Sequence, residues 1–269
     1  MKKIPLPESP SFGDCEIESS KPGVFSRAFP TAAFYGRVAR TVFKSSWLAR
    51  KGVYDDYEWY AASMAVRDAF KRLGTRISIK GTEHLANLDQ PCVIIGNHMS
   101  TAETFLLPGI VVPFRPVTFV VKQGLVEYPV FKHIMRARDP IVVGRVNPRE
   151  DLKAVMEGGK QRLANNVSLV IFPQRTRSVT FDIESFNTIG VKLAKRAGVP
   201  VIPLALKTDA WSNGKRLKDF GRFYPQEPVR LEFGAPIHIE GSDRPAHEAV
   251  VDFIESRLRK WGVPIKSGA

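Results

Sequence analysis

Residues 96–105, GNHMSTAETF, place a histidine and a carboxylate five positions apart, directly after the apolar run CVIIG. His98 therefore lies where a predicted strand ends, and ligands of open α/β sheets bind at the carboxyl ends of strands. On one continuous helix His98 and Glu103 would face different sides, but a turn followed by a helix start brings them together. The carboxylate would then keep one ring nitrogen protonated and leave the other as a general base.

The same residues also have a purely structural interpretation. Ser100 and Glu103 form an S-x-x-E pattern, which is the capping box of a helix N-terminus. In that interpretation the glutamate bonds back to the backbone and His98 is an ordinary loop residue. The residues alone leave both interpretations open.

Cationic and hydroxyl side chains follow three further predicted strands. They are Lys122 after VTFVV, Arg145 after PIVVG, and Arg175, Thr176, Arg177 and Ser178 in FPQRTRS after SLVI. A single cation of this kind is usually solvated. Four cations can converge on one phosphate if their strands are neighbours in the sheet. The pattern predicts an anion site.

The bulk composition also indicates an anionic partner. The chain has 269 residues, 40 Lys and Arg against 27 Asp and Glu, and a formal net charge of +13. Nucleic acid, an acidic membrane surface and phosphorylated ligands all fit this excess. The five histidines form no short-spaced ligand pair with Cys or another His, and no phosphate- or dinucleotide-binding glycine motif occurs, so no metal or cofactor is expected.

After Gly74 the chain alternates between short apolar runs and helical patterns. The runs are RISIKG, CVIIG, VTFVV, PIVVG, SLVIF, VPVIPLAL and VRLEFG, and the helices are predicted near 148–164, 186–197 and 246–261. This alternation predicts an α/β fold with a mixed, largely parallel central sheet flanked by helices. A single domain is predicted over residues 75–269.

The N-terminal part has a different character. Residues 1–30 are rich in Pro, Ser and Gly and are predicted to be irregular, whereas 31–51 and 55–73 have the spacing of two helices, a hairpin over 31–74. Between residues 21 and 51 there are seven basic residues and no acidic one, interleaved with aromatic residues. A basic amphipathic helix of this kind suits the interface of an anionic membrane. The predicted interfacial residues are Phe34, Arg37, Arg40, Lys44 and Trp47.

A simpler alternative for the first helix is that its apolar stripe packs on the domain and its charges are solvated. The N-terminus has no apolar segment typical of a signal peptide. No uninterrupted run of apolar residues is long enough for a transmembrane helix. The expected location is therefore peripheral or monotopic.

Five segments in order, NHMSTAE, KQGLVEYPVF, DPIVVGR, FPQRTRS and GVPVIPLAL, resemble the four sequence blocks of the PlsC-type glycerolipid acyltransferases. These are the 1-acylglycerol-3-phosphate acyltransferase family, and the resemblance covers about residues 77–233. Three positions differ from the family pattern. Glu103 stands where the family has Asp, Gln174 where it has Glu, and Arg175 where it has Gly.

The resemblance implies an acyl transfer. His98, oriented by Glu103, would deprotonate the free hydroxyl of a lysophospholipid, and that oxygen would attack the thioester of an acyl-carrier protein or coenzyme A. Lys122 and Arg177 match the positions that hold the acceptor's phosphate, and Arg145 lines the same region. The implied acceptor is 1-acyl-sn-glycerol-3-phosphate and the product is phosphatidic acid. The implied location is the cytoplasmic face of a bacterial inner membrane.

The sequence leaves three alternative functions open. Glu103, Gln174 and Arg175 are compatible with another acceptor, such as a lyso-aminolipid or a lipid A-like molecule. A non-catalytic lipid-binding protein would not require the His98–Glu103 pair. A nucleic-acid-binding module would explain the charge, but the sequence contains no helix-turn-helix, zinc-finger or RNP pattern, so no nucleic acid is expected.

Overall fold

The computed structural model describes residues 14–174 and 176–266, in which strands and helices alternate. The strands are β1 Cys15–Ile17, β2 Ile77–Lys80, β3 Val93–Gly96, β4 Val117–Lys122, β5 Ile141–Val143, β6 Ser168–Ile171, β7 Phe181–Asp182, β8 Val201–Lys207, β9 Val229–Phe233 and β10 Ile265–Lys266. The helices are α1 Val24–Ala28, α2 Pro30–Arg50, α3 Asp56–Arg72, α4 Glu83–Ala86, α5 Ala102–Val111, α6 Phe131–Ala137, α7 Pro148–Ala164, α8 Ile189–Ala197 and α9 Arg244–Lys260. Each predicted strand and helix is present.

Within these residues β1 to β6, β8 and β9 form an eight-stranded sheet of order β1-β2-β9-β8-β3-β6-β4-β5. The β1–β2 and β8–β9 pairs are antiparallel and the other neighbours are parallel. The predicted mixed, largely parallel sheet flanked by helices is therefore confirmed.

The central strands are apolar along most of their length because both of their faces are covered. Every residue of β3, β6 and β8 is buried, as expected for parallel strands between two helical layers. Alternate residues point to opposite faces, so Ile94 joins one apolar core while Val93 and Ile95 join the other. Helices α2, α3 and α5 line the first core, and α7, α8 and α9 line the second.

The hairpin α2–α3 packs against the sheet domain through one face. Phe34 is fully buried, with ring centroids 4.2 Å from Phe223 and 5.0 Å from Phe70. The prediction that Phe34 lies in a membrane interface is therefore wrong, because this ring belongs to the protein core. The other predicted interfacial residues are exposed. They are Arg37, Arg40, Lys44 and Trp47.

The segment predicted to be irregular contains regular structure in its second half. β1 pairs antiparallel with β2, and α1 precedes α2, so the prediction is wrong for this part, while residues 1–13 lie outside the described chain. The backbone partner of β1 is far along the sequence, which is why local composition did not indicate a strand. None of the helices in the described residues combines the length and apolar character needed to cross a bilayer.

Candidate active site

The sheet order brings the predicted chemical residues to one edge. Strands β3, β6, β4 and β5 are consecutive parallel neighbours, so their carboxyl ends lie side by side. His98 follows β3, the segment 172–178 follows β6, Lys122 ends β4 and Arg145 follows β5. The strands that precede these cations are therefore neighbours, which is the condition under which the cations can converge.

His98 and Glu103 are directly hydrogen-bonded. The Nδ1 atom of His98 lies 2.5 Å from Oε2 of Glu103, whose side chain is fully buried. The other carboxylate oxygen, Oε1, accepts three hydrogen bonds. The donors are the backbone N–H groups of Met99 at 2.8 Å and Ser100 at 2.7 Å, and the Thr208 hydroxyl at 2.6 Å. Donors on both oxygens stabilise the ionised carboxylate away from solvent.

This arrangement suits a general base. A carboxylate is an acceptor only, so His98 Nδ1 carries the proton and Nε2 presents a lone pair. If Nε2 takes a proton, the charge of the imidazolium is balanced by Glu103. The ring of His98 also stacks on Phe172, with centroids 4.3 Å apart and planes 6° apart, which restricts its rotation.

The structural interpretation of Ser100 and Glu103 also holds in part. Glu103 accepts from the Ser100 backbone N–H, and the Ser100 hydroxyl accepts from Ala102 N at 3.1 Å, at the first residue of α5. The helix start and the His98–Glu103 pair coexist because the carboxylate has two oxygens. Oε1 closes the turn and Oε2 binds the imidazole.

The backbone of His98 is held on both sides by the segment that follows β6. Its N–H donates to Gln174 Oε1 at 2.6 Å, and its carbonyl accepts from Ser178 N at 2.9 Å. Gln174 is buried, and its amide oxygen supplies the acceptor that the buried N–H needs. The sequence marked Gln174 as a departure from the family pattern, but it did not indicate this role. Nor did it indicate the stacking role of Phe172, which looked like the last residue of an apolar strand.

Asn97 determines where the chain leaves the sheet. Its side-chain amide donates to the carbonyl of Leu206 at 2.8 Å and accepts from the N–H of Leu206 at 2.8 Å. These two bonds continue the β3–β8 pairing through a side chain, so the backbone is free to turn at His98. Leu206 and Thr208 were missed because they lie more than one hundred positions away in sequence.

Arg177 is oriented by two partners. Its Nη1 donates to the Thr101 hydroxyl, and its Nη2 donates to Asp219 Oδ1 at 2.6 Å. The side chain is only 11% exposed, against 37% for Asp219. The predicted phosphate ligand is thus already paired with a carboxylate. Asp219 was missed, although it is the only acid within the basic segment 212–222.

Arg145 lies within electrostatic range of Arg177. Partial desolvation lowers the pKa of Arg145, as does the charge of Arg177, while Asp151 raises it. A guanidinium keeps its charge at neutral pH after such a shift. Arg145 has a positive φ of 60°, and Asp151 holds this turn by accepting from the N–H groups of Gly144 at 2.8 Å and Arg145 at 2.9 Å.

The other residues predicted to bind the substrate lie in different environments. Lys122 is exposed and pairs in register with Val143, one strand from Arg145. The Thr176 hydroxyl accepts from Lys218 Nζ at 2.6 Å, and the Ser178 hydroxyl accepts from Thr180 N at 3.1 Å. Substrate binding by these residues stays a prediction. Arg175 lies outside the described residues.

Residues 76–207 match the model of the Acyltransferase family, and this segment contains His98, Glu103 and the cationic residues 122, 145 and 177. This match confirms the expected resemblance of the chain to the PlsC-type acyltransferases.

Two curated relatives are named as acyltransferases of one kind. The chain is 32% identical over 169 residues to the 1-acyl-sn-glycerol-3-phosphate acyltransferase of Pseudomonas aeruginosa, covering 62% of each protein. It is 30% identical over 185 residues to the chloroplastic 1-acyl-sn-glycerol-3-phosphate acyltransferase LPAT1 of Arabidopsis thaliana, covering 67% of this chain and 49% of that protein. The matches therefore span less than two thirds of these relatives' lengths.

The fold also matches a solved structure. The crystal structure of the 1-acyl-sn-glycerophosphate acyltransferase PlsC from Thermotoga maritima aligns with a TM-score of 0.64 and 20% identity. The alignment covers 88% of this chain and 96% of that chain. At this identity the likeness concerns the fold.

Proposed function

We propose that the protein is a lysophospholipid acyltransferase. It transfers a fatty acyl group from an acyl-carrier-protein or coenzyme A thioester to the free hydroxyl of 1-acyl-sn-glycerol-3-phosphate and forms phosphatidic acid. The observation that carries the proposal is the bond between His98 and the buried Glu103, at a sheet edge that also presents cations. The names of the two relatives, both 1-acyl-sn-glycerol-3-phosphate acyltransferases, support the choice of acceptor.

The reaction begins with the acceptor hydroxyl against His98. Nε2 takes the hydroxyl proton as the oxygen attacks the thioester carbonyl carbon, and Glu103 stabilises the imidazolium. The tetrahedral intermediate collapses, the carbon–sulfur bond breaks, and the imidazolium returns the proton to the thiolate. The products are the ester and a free thiol, and His98 is neutral again. The proposed reaction requires no metal or prosthetic group, since the thioester co-substrate already carries an activated acyl group.

The cationic residues give the acceptor its orientation. Arg177 and Arg145 lie close enough to influence each other electrostatically, and Lys122 ends the adjoining strand. A phosphate bound among them would place the glycerol hydroxyl on the His98 side of the same edge. Charge-assisted bonds of this kind fix position as well as affinity.

The test is a turnover assay of the purified protein with one acyl thioester and a panel of lyso-acceptors. The panel contains lysophosphatidic acid, a lyso-aminolipid and a lipid A precursor. We expect lysophosphatidic acid to be the preferred acceptor. Preference for another member of the panel would contradict the proposed acceptor while keeping the reaction class.

The base is tested with His98→Ala, which should reduce kcat by a factor on the order of 10² to 10⁴ while the protein stays folded at the assay temperature. His238→Ala is the matched control, since His238 is exposed and lies outside the site. Near wild-type turnover by a folded His98→Ala variant would contradict the proposed mechanism.

A further inference from the structure

The connection from β8 to β9 folds back on itself over residues 212–222, which we call the finger. The N–H of Ser212 donates to the carbonyl of Arg222 at 3.1 Å, and the N–H of Gly214 donates to the carbonyl of Lys218 at 3.3 Å. A Cβ atom at Gly221 would lie only 1.9 Å from the carbonyl oxygen of Ser212, so the two limbs of the finger are in close contact. The finger is thus held together by its own backbone.

Three side-chain contacts fix the finger beside the catalytic pair. Asn213 Nδ2 donates to the carbonyl of Met99 at 2.8 Å, Lys218 Nζ donates to the Thr176 hydroxyl at 2.6 Å, and Asp219 Oδ1 accepts from Arg177 at 2.6 Å. Met99 directly follows His98, and the other two partners belong to the segment after β6. The finger therefore lies at the same sheet edge as His98.

The finger carries a strong positive charge. It contains four cations, all exposed, and the single acid Asp219. The cations are Lys215, Arg216, Lys218 and Arg222. Among the ion pairs between described residues, none involves these four side chains. The finger keeps an excess of three positive charges, four cations less one acid.

Apolar side chains are exposed between these cations. Leu217 is 64% exposed at the turn of the finger, and Phe220 is 54% exposed. The ring of Phe220 is held against Tyr35, with centroids 5.9 Å apart. Protein interfaces combine aromatic and aliphatic anchors with a polar, charged rim. A surface of this composition suits an acidic protein, whereas a phosphate group by itself would use the charges alone.

The sheet order places the finger on the side of His98 that the acceptor leaves open. The cations proposed to hold the acceptor's phosphate follow β6, β4 and β5, whereas the finger follows β8, which is the other neighbour of β3. In the proposed reaction the thioester has to reach the acceptor hydroxyl at His98 Nε2. A carrier held by the finger would bring the thioester to His98 from the β8 side.

We propose that the finger docks an acidic acyl-carrier protein, which makes the carrier-protein thioester, rather than the coenzyme A thioester, the acyl donor. Lys215 and Arg216 attract the acidic surface of the carrier, and Leu217 supplies an apolar contact. The inference rests on the proposed acyl transfer and adds the identity of the donor to it.

Docking is measured without turnover, by calorimetric titration of a bacterial holo-acyl-carrier protein, free of any acyl chain, into the full-length protein. Lys215→Gln with Arg216→Gln should weaken binding by roughly tenfold or more. Lys195→Gln with Arg196→Gln is the matched control, because it removes the same charges from exposed positions near the end of α8. That end of α8 leads to the amino end of β8, at the opposite edge of the sheet, so this variant should bind like the wild type.

A second variant tests the apolar contact at constant charge. Leu217→Ser should weaken binding of the carrier protein several-fold. Val53→Ser is the control, since Val53 is similarly exposed, at 54%, but lies between α2 and α3. Its binding should match that of the wild type.

Steady-state kinetics identify the donor. In Lys215→Gln with Arg216→Gln, the KM for the acyl-carrier-protein thioester should rise about tenfold, while kcat and the KM for lysophosphatidic acid stay within a few-fold. The KM for the coenzyme A thioester should not change. A rise in the KM for the coenzyme A thioester alone would overturn the proposal.

Two further outcomes would overturn the docking proposal. One is failure of the wild-type protein to bind the carrier protein, or equal binding by the wild type and the Lys215→Gln, Arg216→Gln variant. The other is a loss confined to sedimentation with anionic vesicles, which would assign the finger to lipid. Carrier binding that depends on the finger, without acyl transfer to any lyso-acceptor, would support docking and contradict the proposed function alone.

Discussion

Glu103 shows how one side chain can serve both the local fold and the chemistry. Its Oε1 binds the turn that starts α5 and the Thr208 hydroxyl, and its Oε2 binds the imidazole of His98. Because the hydrogen bonds to Oε1 hold the carboxylate in place, they also fix the orientation of Oε2 toward the imidazole. The extra methylene relative to Asp is accommodated here because donors from two segments converge on the carboxylate.

Gln174 positions His98 through the backbone, and its replacement should affect turnover more than acceptor binding. Gln174→Leu removes the acceptor for the buried His98 N–H, which costs about 1–3 kcal/mol. Since the base then loses its fixed position, we expect a fall in kcat of about tenfold with little change in KM. Steady-state kinetics measure this.

Gln174→Glu provides the conservative control for that prediction. Its carboxylate retains an acceptor at the same place, so turnover should stay within a few-fold of the wild type. Equal losses in both variants would show that Gln174 acts on something other than the His98 N–H.

Asp219 competes with an anionic acceptor for Arg177. Asp219→Asn removes the charge that Nη2 now contacts at 2.6 Å, so the phosphate of the acceptor no longer has to displace a carboxylate. We expect the KM for lysophosphatidic acid to fall several-fold. Asp252→Asn, at an exposed acid on α9, controls for the change in net charge. A rise in KM would mean that Asp219 holds Arg177 in place for the acceptor.

At the scale of the element, α2 has three distinct faces. Phe34 and Val38 are buried, Arg37, Arg40 and Lys44 form a basic stripe, and the exposed Phe43 and Trp47 lie beside that stripe. The simpler interpretation, that the apolar stripe packs on the domain, is confirmed, whereas the membrane-interface interpretation stays a prediction. The apolar stripe packs on the domain, and a second set of aromatic residues remains outside it.

The three faces of α2 predict which of its residues contact an anionic membrane. Arg37→Glu, Arg40→Glu and Lys44→Glu together should release the protein from anionic vesicles in a sedimentation assay, because the basic stripe contributes about 1 kcal/mol per charge near an anionic surface. The matched variant is Arg149→Glu, Lys153→Glu and Lys160→Glu, which makes the same charge change on α7. Unchanged sedimentation of the first variant, or equal release of both, would contradict an interfacial role for α2.

At the scale of the whole molecule, the hairpin shares one buried apolar core with the sheet and is not an appendage. Tyr54, between α2 and α3, is buried, and burial raises its pKa to about 12 from 10.0, while a hydrogen bond with Ser45 and the charge of Arg138 oppose the shift. The phenol is therefore neutral in the folded protein at a pH where the unfolded chain releases its proton.

Stability should accordingly decline at alkaline pH. The contribution of Tyr54 is fully present below about pH 10 and is lost between about pH 10 and pH 12, with a total on the order of 2–3 kcal/mol. Tyr54→Phe should flatten the fall in the free energy of unfolding over this range, measured by denaturant titration at several pH values. Tyr128→Phe is a control, because Tyr128 is exposed. An identical slope for Tyr54→Phe and the wild type would contradict this assignment.

Much of the fold was predictable because its elements carry local signals. The apolar runs and the 3.6-residue periodicities located each predicted strand and helix, and Asp55 marked the start of α3 as its N-cap. The short elements β1, β7 and β10 were not predictable, since each depends on a partner strand elsewhere in the chain. Phe34 was misassigned because periodicity defines an apolar face without saying whether protein or lipid covers it.

The sequence by itself determined the alternation of strands and helices, the positions of His98 and Glu103 after a strand, and the resemblance of residues 76–207 to the Acyltransferase family. Only the tertiary structure decided which strands are neighbours, and hence that Lys122, Arg145 and Arg177 follow strands whose carboxyl ends share one edge. It also decided that Thr208, Gln174 and Asp219 complete the site. The physical reason is that helix and strand patterns arise from neighbours a few residues apart, whereas a buried carboxylate and a paired guanidinium require donors and acceptors from distant segments.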